Sequence, residues 1–203
     1  MLSTAWRGPP GNITGTSLMI PELAAKRLQL LKELVPGMSR ALVLAVLGDP
    51  IGPLQVKAIA QIAGPLGVAL QVHDIRTADD IPRAFSDAAK AGVQGVLVTT
   101  ESIFNVHSAE VTGLAARYKL PAIYGSRYPV TSAGGLMAYA VDGPEMFRAA
   151  AGYVDRLLKG TKIAKLPVQQ PTRFPLIVNL GTAKALGLTV PPALLARATQ
   201  VIE

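Results

Sequence analysis

The feature that most restricts the fold is an alternation. Short apolar runs of strand length are separated, repeatedly, by segments whose apolar residues recur at helical spacing. Ala41–Leu47 is an uninterrupted apolar run, which suits a strand covered on both faces, as parallel strands are. Ahead of it, Ala24, Leu28, Leu31 and Val35 recur at spacings of four, three and four between Pro21-Glu22 and Pro36-Gly37, which predicts a helix with its own start and stop. Gly48-Asp49-Pro50 ends the apolar run. A helical stretch from about Leu54 to Ala63 then leads to a strand at Val68–Val72. Ile81, Phe85 and Ala88 share a helical face ahead of a strand at Gly95–Val98. A helix from about Ile103 to Tyr118 precedes a fourth strand at Pro121–Tyr124. Strands and helices alternating through short connections predict an α/β fold, a parallel sheet with helices on both faces.

From Gly134-Gly135 the pattern changes. Leu136–Ala140 reads as a strand, and a helix from about Pro144 to Lys159 carries Phe147, Ala150, Val154, Leu157 and Leu158 on one side. A polar segment, Gly160 to Phe174, separates it from a strand at Pro175–Asn179, a short helix at Thr182–Leu186 and a tail from Pro191 to Glu203. This part reads as a second unit too small to make its own core.

Composition narrows the function classes. Half of the 203 residues are hydrophobic and 16% are charged, the balance of a folded globular chain. With no cysteine, disulfides, thiolate catalysis and cysteine-held metal are excluded. The first residues, MLSTAWRGPPG, lack the charged and apolar regions of a signal peptide. The net charge of +7 comes from scattered residues, and its densest stretch, Lys159, Lys162 and Lys165, has no interleaved aromatic side chain to stack a base. No nucleic-acid partner is expected. His73 and His107 are read as surface or structural residues rather than metal ligands, and no cofactor is expected. There is no Gly-x-Ser-x-Gly, phosphate loop or Gly-x-Gly-x-x-Gly following a strand, so the chain reads as a binder rather than an enzyme.

Several stretches carry a resemblance that covers nearly the whole chain. They are Gly11-Asn12-Ile13-Thr14-Gly15, Lys26 to Glu33, Leu120-Pro121-Ala122-Ile123-Tyr124-Gly125, Gly134-Gly135-Leu136-Met137, and Asn179 to Leu188. In order and spacing they resemble the bacterial ABC-transporter substrate-binding proteins that include tryptophan- and tyrosine-type binders. The resemblance implies a type I periplasmic-binding-protein-like fold, a doubly wound parallel sheet in each of two lobes with the ligand clamped between them. It divides the chain into a crossover or hinge at 1–20, a second-lobe α/β domain at 21–135, and a returning segment at 136–203 that completes the first lobe, most of which lies outside these residues. One lobe would therefore be complete, with only the C-terminal part of the other. Pro10 stands where the family carries a glycine, which stiffens that hinge. The resemblance also implies a periplasmic location, an ABC permease as partner of the full-length form, and an amino acid or small organic acid as ligand. With most of one lobe absent, the apolar side of the helix at 144–159 and the strand Leu176–Val178 would be left without the strands they pack into, and a homodimer in which the region from about Tyr139 to Glu203 packs against its counterpart or exchanges between subunits is expected to bury them. A ligand-sensing regulatory module of the same fold, or a remnant that no longer binds, are the alternatives.

In an open parallel sheet the ligand crevice lies beyond the carboxyl ends of the strands, where strand order reverses. With the order 2-1-3-4, the loops after the first and third strands flank that point and bring Asp49, Thr99, Thr100, Glu101 and Ser102 to it. Glu101 occupies the place where amino-acid-binding relatives carry an acid for the ligand ammonium group. Its bland role is to complement the dipole of the following helix. Asp49 has the same two readings, ligand partner or turn residue, and N–H groups near Ser102 and Ile103 are candidates for a ligand carboxylate. After the fourth strand, Tyr124, Arg127 and Tyr128 set a guanidinium beside aromatic rings, suited to an organic acid or aromatic group. Tyr139 is placed to line the same cleft. For each tyrosine, packing is the competing role.

Overall fold

A computed structural model describes residues 12–203. Pro10, Gly11 and most of the expected hinge lie outside the described residues. The chain divides into two compact units, one of residues 20–140 and 175–203, the other, among described residues, of 12–19 and 141–174.

The larger unit holds every named strand: β1 (Arg40–Ala45), β2 (Ala69–Asp74), β3 (Val96–Val98), β4 (Ala122–Tyr124), β5 (Met137–Tyr139), β6 (Leu176–Asn179) and β7 (Gln200–Ile202). They form one sheet in the order β2-β1-β3-β4-β5-β6-β7. The first five are parallel, as the alternation predicts, and the expected 2-1-3-4 order holds. β6 runs antiparallel to β5, and β7 runs parallel to β6.

Side-chain alternation along β1 explains the two layers. Ala41, Val43 and Ala45 face a core built with α1 (Ile20–Leu34), α2 (Gly52–Ala63), α8 (Leu180–Ala185) and α9 (Pro192–Leu195). Leu42 and Leu44 face the opposite core, built with α3 (Asp80–Lys90), α4 (Ser102–Val106), α5 (Ser108–Arg117) and α6 (Tyr128–Ala133). Five of the six β1 residues are buried, which is why its sequence shows no polar alternation. The edge strand β2 is only half covered.

Three expectations need correcting. The boundary at 135/136 falls inside the sheet, because Met137 and Ala138 are completely buried between β4 and β6. The strand Leu176–Val178, expected to await strands outside the chain, pairs with Met137–Tyr139 and with Gln200–Ile202. The helix expected over 103–118 is two helices. His107 leaves helical geometry at φ −98° and ψ 26°, and the second segment then lays Val111, Thr112 and Ala115 on its buried side.

The smaller unit contains α7 (Gly143–Leu158) and one 3-10 turn at Ile163–Lys165. Asp142 caps α7 by accepting the Glu145 N–H at 3.1 Å. Tyr153 donates its hydroxyl to the Pro167 carbonyl, Thr14 donates to the Leu166 carbonyl, and Thr16 bridges to Gln169. Phe147, Val154 and Leu158, three of the apolar residues named from the sequence, are exposed at 79%, 55% and 84%.

Candidate functional site

β1 and β3 are neighbours, yet from β1 the chain steps outward to β2 before returning to β3. Their carboxyl ends therefore flank the reversal of strand order, the place where open α/β sheets leave a crevice. The loop after β1 brings Asp49, and the segment after β3 brings Thr99, Thr100, Glu101 and Ser102. Asp49 spends one carboxylate oxygen on the Ile51 N–H at 2.8 Å. This is the turn role foreseen for it, although its charge still acts on Glu101.

Glu101 is the centre of a polar network. Its Oε1 accepts from Gln55 Nε2 at 3.0 Å, and its Oε2 shares a hydrogen bond with the Thr99 hydroxyl. Thr99 Oγ1 is also 2.8 Å from the Leu44 carbonyl oxygen. Gln55 Oε1 accepts from Arg27 Nη2 at 2.9 Å, and Arg27 Nη1 donates to the Tyr139 carbonyl at 3.2 Å. Burial raises the Glu101 carboxyl above the ordinary range, and the charge of Asp49 adds to this. The Thr99 hydrogen bond, an N–H of its own backbone and the Arg27 charge act in the opposite direction. Arg27 is 1% exposed, and burial pulls its guanidinium down to about 10, against the stabilising charge of Glu101.

Sequence reading missed Arg27 and Gln55. Arg27 interrupts the apolar stripe of α1 between Ala24 and Leu28, and Gln55 lies on the buried stripe of α2 with Gly52, Ile59 and Ala63. A charged and a polar residue at core positions of two helices are the signal, since buried groups of this kind must find partners.

Two glycines leave room for the network. A Cβ at Gly52 would lie 1.9 Å from the Val46 carbonyl oxygen and 3.1 Å from Glu101 Oε1. One at Gly125 would lie 2.6 Å from Thr100 Cγ2 and 3.2 Å from Arg27 Nη1. Gly125 thus allows the end of β4 to approach both the loop after β3 and the buried guanidinium.

The tyrosines separate. Tyr124 is 1% exposed and belongs to the core beneath α5 and α6, its ring edge against Gly135. It is a packing residue, corrected from the cleft-lining role. Its hydroxyl is buried without a hydrogen-bond partner, and burial raises it further from ionisation. Tyr139, half-buried at the end of β5, reaches the network through its backbone carbonyl, and burial pushes the pKa of its hydroxyl up, against ionisation. Arg127 and Tyr128 are exposed at the start of α6, and Ser102 is exposed at the start of α4. The structure therefore joins Thr99 and Glu101 directly, sets Asp49 within electrostatic reach, and leaves Ser102, Arg127 and Tyr128 on the surface.

Comparison with known proteins agrees with this architecture. The sequence profile described as ABC transporter substrate binding protein matches residues 1–202. Among solved structures, a protein from Streptococcus pneumonia described as an ABC domain in complex with L-Trp has a TM-score of 0.84 at 24% identity, covering 98% of this chain and 68% of its own. A conserved domain protein of Vibrio cholerae has a TM-score of 0.84 at 23% identity, covering 95% of this chain and 64% of its own. The ligand-free, open form of a Clostridium difficile substrate-binding protein with adhesive properties has a TM-score of 0.74 at 22% identity, covering 97% and 64%. The chain thus spans about two thirds of the length of these proteins. At these identities the likeness establishes the shared fold. No curated protein sequence matches the chain significantly.

Proposed function

Since the chain belongs to the ABC transporter substrate-binding proteins, we propose that it takes up an amino acid or small organic acid at the carboxyl ends of β1 and β3 for delivery to an ABC permease. The observation that carries this reading is Glu101, a carboxyl group at the reversal of strand order, fixed by Gln55 and Thr99 and aided by a buried arginine. An acid so placed is suited to a ligand ammonium group. The exposed Arg127 is suited to a ligand carboxylate. That the solved relative from Streptococcus pneumonia holds L-Trp supports an amino acid as the first compound to test. The family supports work outside the cytoplasmic membrane, and among the described residues no helix is long and apolar enough to cross one.

A thermal-shift panel of amino acids and organic acids, followed by calorimetry on each hit, tests the reading. Glu101→Gln is expected to weaken an amine-bearing ligand more than tenfold, a loss of about 1.4 kcal/mol or more. Unchanged affinity would remove Glu101 from the site.

The exposed Phe147, Val154 and Leu158 lie along one side of α7, and an apolar surface of this kind supports self-association. We extend the proposal to a homodimer that buries this side of α7.

A further inference from the structure

The hydrogen bonds around Glu101 have a direction. A guanidinium only donates, so the Gln55 oxygen must face Arg27, at 2.9 Å. The amide nitrogen of Gln55 is thereby turned to Glu101 Oε1, at 3.0 Å, and that oxygen is an acceptor. At the other end of the chain of contacts, the Leu44 carbonyl only accepts, and Thr99 Oγ1 lies 2.8 Å from it. The same Oγ1 contacts Glu101 Oε2, but a threonine hydroxyl carries one hydrogen. If Glu101 were ionised, both of Thr99's neighbours would be acceptors, and one contact would hold two oxygen lone pairs with no hydrogen between them. A proton on Glu101 Oε2 removes the conflict. Oε2–H then donates to Thr99 Oγ1, and Thr99 Oγ1–H donates to Leu44.

We infer that Glu101 stands in the ligand-free protein as a neutral carboxylic acid, at the centre of a one-way hydrogen-bond chain running between the Arg27 guanidinium and the Leu44 carbonyl. Arg27 and Gln55 are positioning residues, because they dictate which oxygen of Glu101 is left to carry the proton. The charged groups acting on Glu101 divide. Arg27, from α1, favours the carboxylate, whereas Asp49, from the loop after β1, favours the acid, as does burial, the largest influence.

The consequence for ligand selection rests on the proposed function. A ligand ammonium group that pairs with Glu101 must displace its proton. The Oε2–H bond breaks, the proton passes to solvent, and the Thr99 hydroxyl turns from Leu44 to the new carboxylate. Leu44 keeps the Thr99 N–H, at 3.2 Å. Uptake of a cation is then coupled to release of one proton and weakens as pH falls. A neutral ligand that donates to a remaining lone pair of the acid binds without that exchange. Glu101 thus sets a pH-dependent preference between amines and neutral polar ligands.

The test needs no ligand, so its outcome is independent of what occupies the crevice. Glutamate carboxyl carbons labelled with carbon-13 are followed by NMR across pH, and the Glu101 signal is identified by its loss in Glu101→Gln. The Glu101 signal is expected to show a protonated carboxyl at neutral pH, well above the ordinary glutamate range of about 4.3, and an ionised carboxylate at neutral pH would overturn the inference. Stability measured over the same pH range supplies a second readout. A raised folded-state pKa stabilises fully below the unfolded value, and that contribution is lost as pH rises through the folded value. Wild type should therefore lose stability above the ordinary range. Glu101→Gln, whose amide reproduces the donor and acceptor pattern of the acid, should not, and at neutral pH it should match or exceed wild type. A variant that is less stable than wild type at neutral pH, with the gap closing in acid, would show that the carboxylate is the resident form.

Discussion

Replacing Arg27 with Met keeps a long apolar side chain in the α1 stripe and removes both hydrogen bonds of the guanidinium. Gln55 Oε1, on a residue with no exposed surface, and the Tyr139 carbonyl lose donors at 2.9 and 3.2 Å. A buried acceptor without a partner costs about 1–3 kcal/mol, so the gross loss is about 2–6 kcal/mol. Against it stands relief from burying a cation. The fall of the Arg27 pKa to about 10 corresponds to about 3 kcal/mol disfavouring the charged form, and Met escapes much of that penalty. The net expectation is about 2 kcal/mol of destabilisation, or roughly 4–8 °C in Tm for a chain of this size. Urea and thermal denaturation followed by circular dichroism measure it. Gln55→Met and the double variant complete a cycle, in which the double should be about 1–2 kcal/mol less damaging than the sum of the singles. Additivity within about 0.5 kcal/mol, or an Arg27→Met protein as stable as wild type, would refute the claim that these two side chains depend on each other.

Gly52→Ala places a methyl group on the Val46 carbonyl and against Glu101, so urea denaturation should show a loss of about 1–3 kcal/mol. Undiminished stability would contradict the close approach. Asp74 accepts the Leu47 N–H at 2.8 Å and pairs with Arg76 at 2.9 Å, and these two contacts hold its carboxyl below the ordinary range. A depressed folded-state value adds stability above the unfolded pKa that is lost as pH falls through the folded one. Asp74→Asn should therefore be less stable at neutral pH and converge with wild type in acid. A gap independent of pH would refute this. On α7, Phe147→Ser combined with Leu158→Ser should convert a dimer to a monomer in light scattering, and a wild-type protein that is already monomeric at micromolar concentration would defeat the proposed association.

The parallel part of the sheet was legible because its signal is local. Ala41–Leu47 announces a strand covered on both faces, and the helical spacing of Ile81, Phe85 and Ala88 announces a layer. The strand order 2-1-3-4 is the usual one for doubly wound sheets of this kind. What remained hidden depends on distant partners. β7 has three residues, two of them exposed, and is a strand only because β6 lies beside it. α6 is a six-residue helix that begins with Tyr128-Pro129, too short for periodicity to register. Glu101 is a candidate from its position at the reversal of strand order, whereas Tyr124 packs in the core for a simple reason. The last residue of a strand presents its side chain to one face of the sheet, and for Tyr124 that face is the core under α5 and α6. The same alternation, applied to register rather than to loop proximity, separates a residue that lines a crevice from one that packs beneath it.

The network also explains how exposed loops can leave the strand ends here without loosening the sheet. Its members are Leu44 on β1, Thr99 and Glu101 after β3, Tyr139 on β5, Arg27 on α1 and Gln55 on α2. Polar contacts thus tie three parallel strands and two helices together near the strands' carboxyl ends, where apolar packing gives way to loops. Ser102, Arg127 and Tyr128 stand outside this frame. Substitutions at those three positions should change which ligand is preferred while leaving stability within about 0.5 kcal/mol, as for exposed sites generally. Substitutions at Arg27 or Gln55 should move stability and ligand affinity together, because the frame that positions Glu101 is also part of what holds the helices to the sheet.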